Sequence, residues 1–527
     1  MRYNKIEDNI MPNGVEVSYI EKTRIPMNII NVELEGLYGS TVLKEFSEIF
    51  KYYDIYEKGA KFDVTVLDGF EGSSLRLKQS AILIDKEARF MFSAPVDITI
   101  NADKNDKAVQ GEQDKYQKLI DKIRDATAFD GKIIKAAKDC FIGKRVAYVI
   151  DFDAIKGDVI VSFIPSFGFV YTTDDNNADM LTKLIIFYAL NDFERKEDQR
   201  IYKKKYEMVN GKCIITQGIY NGLGEVVEEN EEIKTEFTYI PGGVILNGGL
   251  TGDMFGESDI AKVYELESYY NKLNASDIDA ERKNMNPITY TIDADPNSTK
   301  QLSRASGAYW DLSSDLNHEG KQAQVGTIEP KMGYSEALDS TLARMKTSAY
   351  EALEVPETSS DALKGVVSSG KTLKAIYWGL MVRCDEKFIA WRSAIRHIAQ
   401  TIIDGCMLYS ECAKHYINET INAIECDFVV ENNYPIQDDI NEEKEMDLQE
   451  VHNKVRSKKS YMKKYMGLSD EEVQEELQQM ALEHQIEEGS YSFQPPTPQT
   501  RNNTVVQQNQ QNGQEVPTFQ DFVNGNT

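Results

Sequence analysis

Between residues 384 and 402, six apolar side chains recur at alternating intervals of four and three: Cys384, Phe388, Trp391, Ile395, Ile398 and Ile402. That spacing puts all six on one line of an α-helix, in the manner of a coiled-coil seam. The surrounding pattern extends the helix from about Ser369 to Leu408. At about 1.5 Å per residue such a helix is roughly 60 Å long. That exceeds what a small globule needs and suits an element that spans a larger assembly.

The head of this helix carries a motif. Residues 365 to 372 read Gly-Val-Val-Ser-Ser-Gly-Lys-Thr, which fits the nucleotide-binding pattern G-x-x-x-x-G-K-[ST]. The pattern cradles phosphate only where a buried strand runs into the first glycine and a helix starts at the Lys-Thr. The helix is present. The strand is not, because residues 355–364 are Val-Pro-Glu-Thr-Ser-Ser-Asp-Ala-Leu-Lys, polar after the proline. A helical pattern over Tyr334–Leu353 precedes them, and no later apolar strand ends in a metal-binding aspartate. Gly365–Thr372 therefore reads as a glycine-containing connection ahead of a helix N-terminus. A P-loop NTPase, for instance a packaging motor, is the competing reading.

At 527 residues the chain is long enough for two or more domains. The first ten residues hold no apolar run, which predicts no secretory signal, and no stretch approaches the roughly 18 apolar residues of a membrane span. Six cysteines (140, 213, 384, 406, 412 and 426) form no C-x-x-C pair, so reduced thiols in a cytosolic setting are expected. With five scattered histidines, no metal site and no cofactor are expected. The balance of 59 basic against 86 acidic residues gives a net charge of −27. That argues against a tight grip on nucleic acid, which needs a basic face. It is compatible with DNA sliding past, since a like-charged surface repels phosphate.

Along the chain, residues 1–255 mix α and β. Helical patterns cover Leu43–Tyr56, Leu83–Phe92 (stopped before Pro95) and Lys115–Phe141, with a polar loop over 101–113. Strands fit 145–151 and 158–164, joined by a Lys156-Gly157-Asp158 turn, then 184–190, 202–208 and 213–218. Residues 224–234 read as a solvated loop or edge hairpin, and the glycine-rich 241–259 as a crossing with no element of its own. A helix from Glu257 to Met285 shows an apolar stripe at Ile260, Val263, Leu266, Tyr270 and Leu273. Ile288, Tyr290 and Ile292 alternate with threonines as a strand does, and 307–312 and 324–328 suggest two more. This insert is too small to bury a core, so it must pack against other chains. Two helices, at 438–456 and 469–487, close the fold. The chain from Gln494 onward reads as disordered. Trp378 and Trp391 read as core.

The order of these parts resembles the siphophage-type portal proteins of tailed double-stranded DNA phages, from about residue 30 to 487. The residues that carry the resemblance are Lys86–Pro95, Gly256-Glu-Ser-Asp259 opening a helix with Leu266, Tyr270 and Asn271, and Val367–Lys374 opening the long helix. Asn433–Ile436, Ser460–Met462 and Glu471-Glu472 continue it. The resemblance implies an α+β portal fold: an α/β wing (1–255 and 372–425), a two-helix stem (256–285 and 332–354), a small β-containing clip (286–331), a tunnel loop (355–371), a helical crown (426–487) and a disordered tail (488–527). It implies a ring of twelve at one capsid vertex, without enzymatic activity, through which DNA is packaged and ejected. The implied partners are further copies of the chain, major capsid protein, scaffolding protein, terminase large subunit, head-completion or adaptor proteins, and double-stranded DNA passing non-specifically, with no membrane. The implied location is the virion, and the host cytoplasm during assembly. On this reading Lys364, Ser368, Ser369 and Lys371 face the DNA channel. Tyr309, Trp310 and Asp311 form the docking part of the clip, where Trp310 is either an anchor or a subunit-packing residue. Many relatives carry an apolar residue where Lys371 stands. A scaffold or adaptor protein of the capsid is a further rival.

The enzyme reading makes its own demand. Purified protein is expected to show no ATP hydrolysis. Turnover that disappears in Lys371→Ala would make the chain an NTPase.

Overall fold

The computed structural model describes residues 39–480, except 65, 68–69, 104–105, 175, 192–194, 196, 229–230, 286–287, 301–311, 315–321, 329–331, 359–369, 437–439 and 467–471, together with residue 482. The chain divides into two units, one ending at Asp439 and the other starting at Ile440. Mixed helices and antiparallel sheets make the fold α+β, as expected.

Strand β4 (Arg145–Phe152) organises the first unit. It pairs antiparallel with β5 (Val159–Pro165) through the expected turn, where Gly157 takes a φ of 76°. Its near-continuous apolar run is buried on both faces, the pattern of a strand covered on two sides. Val146, Tyr148 and Ile150 join a core made with helices, whereas Ala147 and Val149 join a second core under another sheet. That sheet has five antiparallel strands, β6 (Phe169–Asp174), β7 (Asn177–Ala189), β8 (Ile201–Val209), β9 (Lys212–Tyr220) and β10 (Glu231–Lys234). Its edge strand β10 comes from the charged interval expected as a loop or edge hairpin.

The helical side comprises α1 (Gly39–Lys58), α2 (Gln79–Phe92), α3 (Lys107–Thr127) and α4 (Phe129–Gly143). A small ribbon, β1 (Val66–Leu67) with β2 (Phe70–Glu71), lies between the first two. Helix α2 ends before Pro95, as expected. Two other expectations fail here. Residues 101–113 are not a loop: strand β3 (Asp97–Ala102) pairs with β14 (Cys426–Glu431), and α3 starts at Lys107, where the Asp106 carboxylate accepts from the Ala108 N–H. The single helix expected over 115–141 is two, broken at Ala128, whose φ of 50° is left-handed. A third correction concerns 241–259. Gly242–Leu246 is strand β11, paired with β4. A Cβ on Gly242 would stand 2.5 Å from the Tyr148 carbonyl oxygen, and one on Gly243 would stand 2.5 Å from the Tyr148 hydroxyl. The glycines are there because β4 and its side chains come so close.

Two long helices follow, α5 (Asp259–Met285) and, after an insert, α7 (Ser335–Ala352). The insert contains β12 (Ile288–Ile292), a short α6 (Pro296–Thr299) and β13 (Gln324–Ile328). Then come α8 (Gly370–Leu408) and α9 (Ser410–Ile417). All six seam residues of α8 are buried, and Trp391 packs edge-on to Phe92 with ring centroids 5.0 Å apart. Trp378 corrects the expectation made for it, being 65% exposed. The described cysteines are all free, and all but Cys426 are buried.

The buried face of α5 also differs from the apolar stripe expected. Ile260 and Val263 are buried, but Leu266, Tyr270 and Leu273 are only partly so. The stripe continues instead as Glu267, Asn271, Ala275 and Asp279, four residues apart. These polar side chains bind the backbone of residues 59–80. Glu267 accepts from the Ala60 and Ser80 N–H groups at 2.9 and 2.8 Å. Asn271 accepts from Leu77 N–H at 2.9 Å and donates to the Ala60 carbonyl at 3.2 Å. Asp279 accepts from Ser73 N–H at 2.9 Å. A mostly irregular segment, interrupted by the β1–β2 ribbon, thus finds backbone partners along a helix, which satisfies its N–H and carbonyl groups where it packs down.

The second unit contains α10 (Ile440–His452), α11 (Lys458–Met466) and a helix over 472–480. Sequence reading expected two helices. The third, α11, is fixed to α10 at Asp447, which accepts from Lys464 at 2.9 Å and Tyr465 at 2.7 Å. The tail expected to be disordered lies outside the described residues.

Replacing Asn271 with Leu keeps the volume and strands the Leu77 N–H and Ala60 carbonyl. An unsatisfied buried group costs about 1–3 kcal/mol. Chemical denaturation is expected to show a loss of about 2 kcal/mol, and an unchanged midpoint would refute the role given to the polar column.

Candidate functional site

Helix α2, the start of α5 and the middle of α8 meet at one point. Four charged side chains fix that meeting point. Glu87 comes from α2, Asp259 from the first turn of α5, and Arg383 and Lys387 from successive turns of α8. Arg383 donates through Nε to Glu87 at 2.9 Å and through its guanidinium to Asp259 at 2.6 Å. Lys387 Nζ lies 2.6 Å from Glu87 and 2.5 Å from Asp259, and 3.8 Å from the centre of the Phe141 ring. Neither carboxylate is exposed beyond 2%.

Burial pushes the Asp259 carboxyl up, but Lys387 and Arg383 beside it outweigh that and hold it below its ordinary value. Burial likewise depresses Lys387, and the two carboxylates more than reverse it, raising the ammonium. Two cations thus face two carboxylates away from water. Asp259 also sits at the start of α5, where the helix dipole favours an anion. Sequence reading quoted Lys86–Pro95 and Gly256–Asp259 but did not join them. The available clue was Arg383 and Lys387, two cations four residues apart, each next to a residue of the apolar seam (Cys384 and Phe388).

Beyond α5 the insert forms a two-stranded ribbon. Tyr290 stands opposite Gly326 and Ile292 opposite Gln324. A Cβ on Gly326 would fall 2.4 Å from the Tyr290 ring, so the aromatic ring covers the glycine across the strands. Tyr290, Ile292, Val325 and Ile328 are each at least 42% exposed. The ribbon has no core of its own, as the sequence implied. Of the three strands expected in the insert, 288–292 and 324–328 are observed. Residues 307–312 lie almost wholly outside the described residues, with Tyr309, Trp310 and Asp311 among them.

The return helix α7 is scarcely covered, with Ala349 its sole buried residue among those described. After it, Leu353 and Val355 are buried and pin the chain, and Lys346 pairs with Glu357. Lys364, Ser368 and Ser369 lie outside the described residues. Lys371 is in the first turn of α8, and its side chain lies outside them too. Among the described residues the last regular element before the glycine motif is α7, where a helical pattern was expected; residues 359–369, the motif's approach and most of the motif, lie outside them. No group of metal-binding side chains occurs among the described residues, and no described helix is long and apolar enough to cross a membrane.

A cavity of about 530 Å³ opens beside α5. Phe62, Val64, Arg76, Tyr269 and Lys272 are among its lining residues. Sequence reading gave no sign of it, because it depends on the docking of residues 59–80 onto the polar column.

Removing one partner of a buried ion pair costs about 3–5 kcal/mol, because it leaves a charge uncompensated. Asp259→Ala is expected to lose stability in that range and Glu87→Gln rather less. Thermal and denaturant unfolding of the two variants test this, and near-wild-type stability of Asp259→Ala would contradict it.

With this geometry in view, comparison with known families is informative. A family model described as phage portal protein, SPP1 Gp6-like, matches residues 77–489. That span includes α2, both long helices, the ribbon and α8. No curated protein matches the chain.

Proposed function

Since the chain belongs to the family of phage portal proteins, SPP1 Gp6-like, we propose that it forms a ring, twelve-membered, at one vertex of the capsid. Portal proteins of this family are virion components and head–tail connectors that serve genome packaging, and they are structural. The finer reading is that DNA enters and leaves through the ring's central channel. The terminase large subunit docks on it during packaging, and head-completion proteins dock later. Major capsid and scaffolding proteins hold it in the shell.

The observation that carries this reading is the ribbon β12–β13 between two helices. It exposes apolar side chains on a structure too small to stand alone. Neighbouring copies in a ring would supply the missing partners. In this reading Tyr309, Trp310 and Asp311 belong to the docking end of the clip. Lys364 and Lys371 make weak, exchangeable contacts with DNA phosphates, with Ser368 and Ser369 beside them. The net charge of −27 keeps other channel surfaces from adhering to DNA, within the roughly 8–10 Å over which salt leaves charge effective.

Negative-stain images of purified protein are expected to show rings with a central hole. Monomers or sheets would count against a portal and for a scaffold or adaptor. With rings in hand, Lys364→Ala combined with Lys371→Ala is expected to alter packaging yield while leaving ring number unchanged.

A further inference from the structure

Helix α8 carries a second line of side chains, on the face away from its core seam. Ala375, Trp378, Val382, Asp385, Ile389, Arg392 and Arg396 are spaced by three and four, and all are exposed. At 3.6 residues per turn, Ile389 lies about 200° from Trp391 of the buried seam. The polar members are partly held from the flanks. Asp385 accepts from the Tyr434 hydroxyl at 2.6 Å, and Arg396 donates to the Phe428 carbonyl at 3.0 Å. The apolar members are left to water, with Trp378 65%, Val382 47% and Ile389 66% exposed. Nothing in the chemistry of a single chain rewards a regularly spaced apolar line on that side.

The cavity beside α5 has complementary properties. Phe62, Val64 and Tyr269 give it apolar walls, and Lys61, Arg76 and Lys272 outnumber Asp63 in its lining, although Lys61 also pairs with Asp54 at 2.8 Å. Leu75, Leu77 and Ile82, each at least 40% exposed, continue the apolar surface from its edge. The α8 line offers a large aromatic knob and an aliphatic row, with the Asp385 carboxylate between them and Glu386 beside it, while its two arginines, Arg392 and Arg396, lie further along the helix.

We propose that Trp378 of one copy docks in this cavity of the next copy, with Val382 and Ile389 lying along Leu75, Leu77 and Ile82. The proposal rests on the ring reading above and gives it a specific contact. A closed ring of more than two copies is built by heterologous contacts, so each chain must present two different surfaces that fit each other. The α8 line and the cavity are such a pair. An indole between cations and an aromatic wall gains both burial and cation–π attraction. An aromatic residue seated in a pocket is the usual anchor of an interface.

Wild-type protein and Trp378→Glu are compared by native mass spectrometry and negative stain. The variant is expected to remain monomeric at concentrations where the wild type forms rings, with unchanged circular dichroism and unfolding midpoint, because Trp378 supports no part of the chain's own core. Trp378→Phe should restore rings in part. Combining Trp378→Cys with Ser74→Cys at the cavity wall should give a ladder of disulfide-linked multimers under mild oxidation, which neither single variant gives. Rings of normal stability in Trp378→Glu, or no ladder from the double variant, would overturn the contact and leave the ring reading standing. A wild type that forms no ring at all would overturn both.

Discussion

The four-charge cluster of Glu87, Asp259, Arg383 and Lys387 is the point on which the first unit depends. It joins α2, the start of α5 and the middle of α8, three helices far apart in sequence. Hydrophobic contact alone would let such helices slide, since apolar packing has little directional preference. Two cations each shared between two carboxylates have one arrangement that leaves neither carboxylate without a cation. The geometry therefore fixes where α5 leaves the core and at what point along α8 it does so. The course of α5 follows from that departure. A buried ion cluster adds little net stability compared with a well-packed apolar one. Its contribution here is a single defined junction.

A second polar device carries that position along α5. Glu267, Asn271 and Asp279 hold the backbone of residues 59–80 in register with the helix. The cavity and the exposed Leu75 and Leu77 follow from this docking. The same helix thus has an ionic anchor at its head and a hydrogen-bonding column along its body, with few apolar contacts to assist. Its outer face is left free of any duty to the chain's own core, and Tyr269 can be spent on a neighbour.

What the sequence revealed follows from how local each constraint is. The seam of α8 and the β4–β5 hairpin were legible, because each is a pattern within one short stretch of chain. The β3–β14 pairing was not, since Asp97–Ala102 is half polar and its partner lies beyond α8. Gly242 and Gly243 read as a hinge, yet they mark a close strand crossing, because a glycine's meaning depends on what approaches it. The buried face of α5 was misjudged for a related reason. A hydrophobicity pattern assumes that helices bury apolar side chains, and α5 buries backbone-binding ones. The break at Ala128 had no proline or glycine to announce it. At the functional elements the exposure of the ribbon's described residues was legible, because too few apolar residues were available to bury. The cavity and the ion cluster required the third dimension.

The insert and α7 show the same economy from the other side. A two-stranded ribbon in water is marginal at best, and this one spends Tyr290 covering the bare backbone at Gly326. Ile292, Val325 and Ile328 remain in contact with solvent, and α7 buries little beyond Ala349. Neither element has the contacts expected of a finished domain, whereas β4 and the inner faces of α2 and α8 in the same unit are buried. Burial is dense around β4, α2 and the seam of α8 and falls away toward the ribbon. That gradient suits the ring proposed above, in which a core folds within one chain and neighbours complete the extension.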